Sequence, residues 1–155
     1  DPFCASYLFS YLINSPSPFF AGKYRTKPFD YDSLALPIKP KVNNFTGNLF
    51  VLADGLCFSS TGHLLALIKY HKLGTIVGQE SGSSYMCFGN TDRFTLKNTQ
   101  LNLRISRTKR CVAVEGFTMK NGIIPDYEIK LSIDDIIENK DVVLEYTMKL
   151  IKENK

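Results

Sequence analysis

Two adjacent serines, Ser59 and Ser60, stand where the run FVLADGLCFSSTGHLLALIKY passes from a strand-like to a helix-like pattern. A serine there has two physical uses. The first N–H groups of a helix lack intrahelical acceptors, and a serine oxygen can accept from one of them. Alternatively the N–H groups face an oxyanion and an exposed serine hydroxyl acts as a nucleophile. Local spacing leaves both open. His63 follows Ser59 by four residues, close to one helical turn, so a base there points down the helix. It reads as a surface or half-buried structural histidine. His71, at the helix end, suits the negative end of the helix dipole. Cys57 lies before the turn and reads as a small buried apolar side chain. Glu80 can orient backbone groups of its own turn or be merely solvated, and Asp126 after Pro125 reads as a turn former.

The elements that must position these groups are legible around them. Asn48 to Ala53 is an apolar, β-rich run that predicts a buried strand. Ser60 to His71 predicts a helix with Leu64, Leu65, Leu67 and Ile68 on a broad apolar face, closed by Gly74. Thr75 to Val77 predicts a second buried strand. Strand, helix, strand in about thirty residues is a βαβ unit with a parallel pair. Ligand chemistry in such sheets sits at the carboxyl ends of the strands. Ser59 follows the first strand and the Gly78–Gly82 turn follows the second, so Ser59, Gly78, Glu80 and Gly82 are expected at one crevice.

Outside this unit, Asp1-Pro2 reads as a cap and first helical position, with Phe3, Tyr7, Leu8, Tyr11 and Leu12 at helical spacing. A single domain is predicted over 1–155: a helix over 1–14, an irregular connection over 15–43, the βαβ unit and further strands over 44–131, and terminal helices over 132–155. The connection carries five prolines. Its aromatics, Phe19, Phe20, Tyr24, Phe29 and Tyr31, argue that it packs down. Arg93–Leu96, Leu101–Ile105 and Arg110–Val114 predict three shorter strands separated by KNTQ and SRTK turns. Asn121-Gly122 and Pro125-Asp126 mark further turns. Ser132 is placed to cap IDDII, and Asp141 to cap the last helix.

Bulk properties narrow the function classes. The 155 residues, 44% apolar and 22% charged, suit one globular core. No apolar run is long enough to span a bilayer, and no signal peptide is legible. The net charge is +4. Its densest group, Arg104, Arg107, Lys109 and Arg110, lacks interleaved aromatics and reads as a solvated strand and turn, against nucleic-acid binding. Cys4, Cys57, Cys87 and Cys111 form no CxxC pair, which argues against zinc or thioredoxin-like chemistry. Free buried thiols are the default, the even count leaves disulfides open with no pairing deducible, and no metal or cofactor is expected.

In this order, NLFVLADGLCFSSTG, TIVGQESG, TLKNTQLNLRI, NGIIPDYEI and LSIDDIIENKDVVLEYTMKLI resemble the C-terminal-processing (tail-specific) peptidases, a serine peptidase family that includes tricorn protease. The resemblance runs from about Asn44 to the C-terminus. It implies an α/β fold of the Clp protease/crotonase-type β-β-α spiral, here as the C-terminal part of the protease domain. It puts Ser59 at the nucleophile position and the Ser60 backbone N–H in the oxyanion hole. Gly78, Glu80 and Gly82 fall on the substrate-binding turn, with Glu80 one place off the usual acidic position. It also implies a peptide or protein substrate, an upstream part of the same protein, and an extracytoplasmic location.

The sequence departs from the family in two places. Ser83-Ser84 stand where one branch has its catalytic lysine. The glutamate of the tricorn-like branch would fall near Met119, and Glu115 is the nearest carboxylate. The first reading is therefore a serine peptidase core whose base lies upstream, inactive as this chain alone. The second is a non-catalytic module binding peptide or an apolar ligand. A crotonase-type acyl-transfer or hydratase enzyme comes third, because no acyl-CoA signature is visible.

Overall fold

The computed structural model describes residues 1–22 and 31–153. Helix α1, Pro2–Leu12, starts at Asp1, whose carboxylate accepts from the N–H of Phe3 at 2.7 Å. Proline at the first position needs no acceptor. The helix is where its pattern puts it, but it presents a different face to the core. Ser6, Phe9 and Ser10 are buried, while Phe3, Tyr7 and Leu8 are exposed. The two hydroxyls bond carbonyls one turn back, Ser6 to Phe3 at 2.9 Å and Ser10 to Tyr7 at 2.6 Å. Satisfied in this way, small serines can be buried at little cost, and α1 lies close against the next helix.

The proline-rich connection packs down where it is described. Phe19 and Phe20 are buried, and Tyr31 is half-buried with its ring 5.1 Å from that of Phe3. A short 3₁₀ turn, Asp32–Ala35, interrupts the irregular path. Tyr24, Pro28 and Phe29 lie outside the described residues.

Strand β1, Phe50–Ala53, helix α2, Ser60–Tyr70, and strand β2, Thr75–Gly78, form the expected parallel unit, paired from Phe50↔Thr75 to Ala53↔Gly78. Ile76 and Val77 are fully buried, but β1 is the outer strand and its Leu52 is 43% exposed. The apolar run of β1 is thus half-buried rather than buried. Helix α2 does not end at Gly74. Lys72 takes the left-handed conformation at φ 54°, and the Leu73 N–H reaches the Ile68 carbonyl at 2.9 Å. Gly74 instead lies against the Leu49 carbonyl and side chain, where a Cβ would not fit.

Next comes one long antiparallel hairpin, β3 Met86–Thr95 and β4 Asn102–Cys111, in register from Met86↔Cys111 to Thr95↔Asn102. This corrects the three shorter strands. The KNTQ turn is real, but SRTK lies inside β4. A ribbon with solvent on most of its surface tolerates a polar run that reads as a turn. Strand β5, Tyr127–Glu128, then pairs parallel with β2, giving the order β1-β2-β5. Asp126 does more than turn the chain. Its carboxylate accepts from the Ile76 N–H at 2.8 Å and from Lys69 Nζ at 2.9 Å, tying β2 to α2.

Helix α3, Ile133–Ile137, opens with a capping box between Ser132 and Asp135. Helix α4, Val142–Glu153, starts where Asp141 accepts from the Leu144 N–H at 2.9 Å, and packs on β1 and β2 with Thr147 and Leu150 buried. The core joins Phe9, Phe19, Phe20, Leu67, Ile76, Val112 and Ile123, drawn from α1, the connection, the βαβ unit and the segments after the hairpin. All four cysteines are free, yet only Cys111 is buried. Cys57 and Cys87 are half-buried and Cys4 is exposed. No described helix is long and apolar enough to cross a membrane.

Candidate active site

The turn from β1 into α2 is built by Asp54, whose carboxylate accepts from the Leu56 N–H at 2.9 Å and whose carbonyl accepts from the Cys57 N–H at 3.1 Å. It delivers Ser59 to the first position before the helix. There Ser59 adopts φ 53°, ψ −119°, outside the regions open to residues with a side chain. Its carbonyl accepts from the His63 N–H at 3.0 Å, but its hydroxyl makes no capping bond to α2. The hydroxyl is instead near enough to the Cys87 thiol of β3 to act on its pKa. Among the described residues, nothing accepts from the Ser60 N–H.

A second turn, residues 78–84, leaves β2 at the same end of the sheet and lies against the first. Gly78, at φ 130°, sits against the Ala53 carbonyl, which accepts from the Gln79 N–H at 2.8 Å. Gly82 faces the Gly55 carbonyl and the Phe58 ring, and Gly62 in the first turn of α2 faces Ser83. Side chains at these glycines would push the turns apart.

A third segment closes on the second turn. Glu80 accepts from the Gly122 N–H at 2.6 Å. The buried Ser81 hydroxyl accepts from the Ile123 N–H and donates to the Ser83 carbonyl, both at 2.7 Å. Glu80 therefore orients backbone. Ser59, Gly78, Glu80 and Gly82 stand at one end of the sheet, within this set of mutually packed turns.

The histidines and the basic group differ from the sequence-based expectation. His63 is 1% exposed, beside the Phe20 ring with centroids 5.5 Å apart. Among the described residues, neither ring nitrogen has a hydrogen-bond partner. Burial, with the nearby Arg110 charge, pushes its pKa down to about 4. A neutral, enclosed imidazole of this kind is a poor proton acceptor for Ser59. His71 lies 3.2 Å from the Ser17 hydroxyl, and burial lowers its pKa, which disfavours the charged form that the helix dipole would attract. Arg110 is half-buried with its guanidinium 4.7 Å from the Tyr31 ring centre, so it is not a solvated strand residue. Burial raises the Cys87 pKa, while the Ser59 hydroxyl and the Arg110 charge act the other way. Glu115 is exposed.

Cys87, Ser81 and Arg110 are the participants that sequence reasoning missed. Cys87 reaches Ser59 only through the tertiary placement of β3, and its register with Arg110 is a property of the hairpin. Ser81 sits within the GQESG turn, where its hydroxyl looked incidental. Among the described residues, no histidine, lysine or carboxylate is hydrogen-bonded to the Ser59 hydroxyl, and no group of three or more His, Cys, Asp or Glu residues could hold a metal ion.

No protein-family model and no curated protein matches the chain. Solved structures do. The chain is similar to the crystal structure of a "putative peptidase" from Parabacteroides merdae, with a TM-score of 0.64 at 16% identity, covering 97% of this chain and 47% of that one. It is also similar to the tricorn protease, with a TM-score of 0.56 at 16% identity, covering 98% of this chain and 14% of that one. The fold is peptidase-like, and the chain spans less than half the length of either structure.

Proposed function

We infer that the chain is the nucleophile-bearing part of a serine peptidase core, of the C-terminal-processing type and the Clp/crotonase spiral. The observation that carries this reading is the Ser59 turn. A capping serine would sit in an ordinary extended conformation with its oxygen on the helix N–H groups. Ser59 instead occupies a strained conformation at the carboxyl end of a parallel strand, with its hydroxyl off the helix. A strained strand-to-helix turn of this kind lifts a nucleophile clear of the backbone.

In the proposed reaction Ser59 Oγ attacks the carbonyl carbon of a bound peptide. A base supplied from elsewhere in the intact protein takes the hydroxyl proton. The free Ser60 N–H faces the resulting oxyanion, helped by the positive end of the α2 dipole. The base then returns the proton to the leaving amine, and water releases the acyl group. Gly78, Glu80 and Gly82 form the wall along which the substrate lies.

The absence of a base bonded to Ser59 among the described residues favours a second reading, a non-catalytic peptide-binding module. One experiment separates the two. The intact protein is treated with a fluorophosphonate probe and assayed on an unfolded protein substrate. The peptidase reading expects labelling at Ser59, activity lowered by orders of magnitude in Ser59→Ala, and a far smaller loss in Ser60→Ala, whose backbone donor survives. Equal losses in the two variants, or no labelling, would count against it. The 155-residue chain alone is expected to fold but not to turn over.

A further inference from the structure

The β3–β4 hairpin has two unlike sides, and one of them runs back to Ser59. The pairing keeps a constant register from Met86↔Cys111 to Thr95↔Asn102, so alternate residues share a side. On the polar side Thr91 lies opposite Ser106, Arg93 opposite Arg104 and Thr95 opposite Asn102. That side carries no carboxylate. Asp92 sits on the other one, paired with Arg107 at 3.0 Å. Arg93 and Arg104 are exposed, and among the described residues neither forms an ion pair. Like charges directly opposite each other weaken a strand pair. The arrangement is unfavourable in the free ribbon and becomes favourable when an anion lies between the two guanidinium groups. Each can hold a carboxylate with paired N–H donors.

The same side leads to the candidate nucleophile. At its base stands Cys87, opposite Arg110, and Cys87 is the β3 residue close to the Ser59 hydroxyl. Ser83, shortly before β3 begins, lies against Gly62 in the first turn of α2, so the hairpin leaves the body beside the Ser59 turn. From Cys87 to Arg93 the strand rises about 20 Å, and an extended peptide laid along it covers that span with roughly six residues.

We propose that this side of the hairpin is a docking ribbon for the substrate, selecting polypeptides that carry acidic side chains roughly six residues from the bond presented to Ser59. The inference rests on the peptidase reading and names its substrate class. The charge that selects the occupant lies on the docking side itself, where Arg93 and Arg104 stand with no acid beside them. Two arginines suit one or two carboxylates. A nucleic-acid backbone takes a longer run of cations, with aromatic rings for unpaired bases, and the outer half of this side has neither.

The test uses the intact protein and pairs of unfolded peptides of equal length that differ only in Glu against Gln, placed on either side of the cleaved bond. At low salt the acidic peptide is expected to be cleaved with a kcat/KM about 3- to 10-fold higher, the range that two exposed ion pairs allow, with the difference in KM. Arg93→Gln and Arg104→Gln should each shrink that ratio, and the double variant should abolish it. Changing both arginines to Glu should invert it, in favour of a Lys-bearing peptide. Arg107→Gln, which removes the same charge from the opposite side, should leave the ratio unchanged. A wild type that cleaves both peptides equally, or an equal loss of preference in Arg107→Gln, would overturn the docking ribbon and leave the peptidase reading in place. Binding of the labelled peptides to Ser59→Ala, read by fluorescence anisotropy, separates the two. If wild type turns over neither peptide, yet acidic-peptide binding still depends on Arg93 and Arg104, the peptidase reading falls and the ribbon stands. An oligonucleotide that binds more tightly than the acidic peptide, through the same two arginines, would also overturn the proposal.

Discussion

Ser59 holds a backbone conformation that costs a residue with a Cβ about 1–3 kcal/mol. Glycine adopts it freely, so Ser59→Gly is expected to be more stable than Ser59→Ala by about 1 kcal/mol, after allowing for the greater unfolded freedom of glycine. Thermal unfolding of the two variants measures this, and equal midpoints would mean that the turn stores no strain. His63 gives a pH signature. Its pKa is about 4 in the folded protein against 6.5 unfolded, chiefly through burial and then through Arg110. The unfolded chain therefore binds the extra proton first. Stability is fully present above pH 6.5 and falls as pH drops towards 4, by about 3 kcal/mol in all. In His63→Phe, denaturant titrations over that range should show a much flatter acid limb. An unchanged limb would place the sensitivity elsewhere.

Helices and strands were legible where local chemistry and tertiary burial agree, and illegible where packing decides. Asp1, Ser132 and Asp141 cap their helices because a cap needs only the residues beside it. The βαβ unit was legible because the apolar face of α2 and the run of β2 are both truly buried. The inner face of α1 was not, because Ser6 and Ser10 satisfy their own hydroxyls and give way to the neighbouring helix beside Phe9, leaving Phe3 and Tyr7 outside. Phe9→Ala is accordingly expected to cost about 3–5 kcal/mol, and Tyr7→Ala no more than about 0.5 kcal/mol, in chemical denaturation. The reverse order would restore the Phe3 and Tyr7 side as the core face. At the site, Ser59 and the two turns beside it were legible from strand and helix order alone. The Cys87 thiol and the Ser81 hydroxyl were not, because their partners lie 28 and 42 residues away.

At the scale of the whole molecule, the three turns are joined by close backbone contacts and by the Glu80 and Ser81 side chains. Gly122 is packed against the Ser81 carbonyl so closely that a Cβ would overlap it. Gly122→Ala should therefore displace residues 80–83 from the third segment, at a cost of about 1–3 kcal/mol. On the peptidase reading it should also lower turnover of the intact protein without touching the reacting groups. Unfolding curves together with kcat measure both, and a variant matching wild type in each would show that the segments move independently.

The pairing of Asp126 with Ile76 spans 50 residues of chain, and the strand it anchors lies far downstream of Ser59. Closing so long a loop comes late, after local contacts have formed. A ribosome adds roughly 5–20 residues per second, so Ser59 is made seconds before β5 exists to hold the third segment against the turns. During synthesis the serine is present but its surroundings are not. On the peptidase reading, such an enzyme stays disarmed while its own unfolded chain, and those of neighbouring ribosomes, are the nearest substrates. Nascent chains of the intact protein stalled before Tyr127 should accordingly leave a fluorophosphonate probe unreacted, and the completed, released protein should take it up.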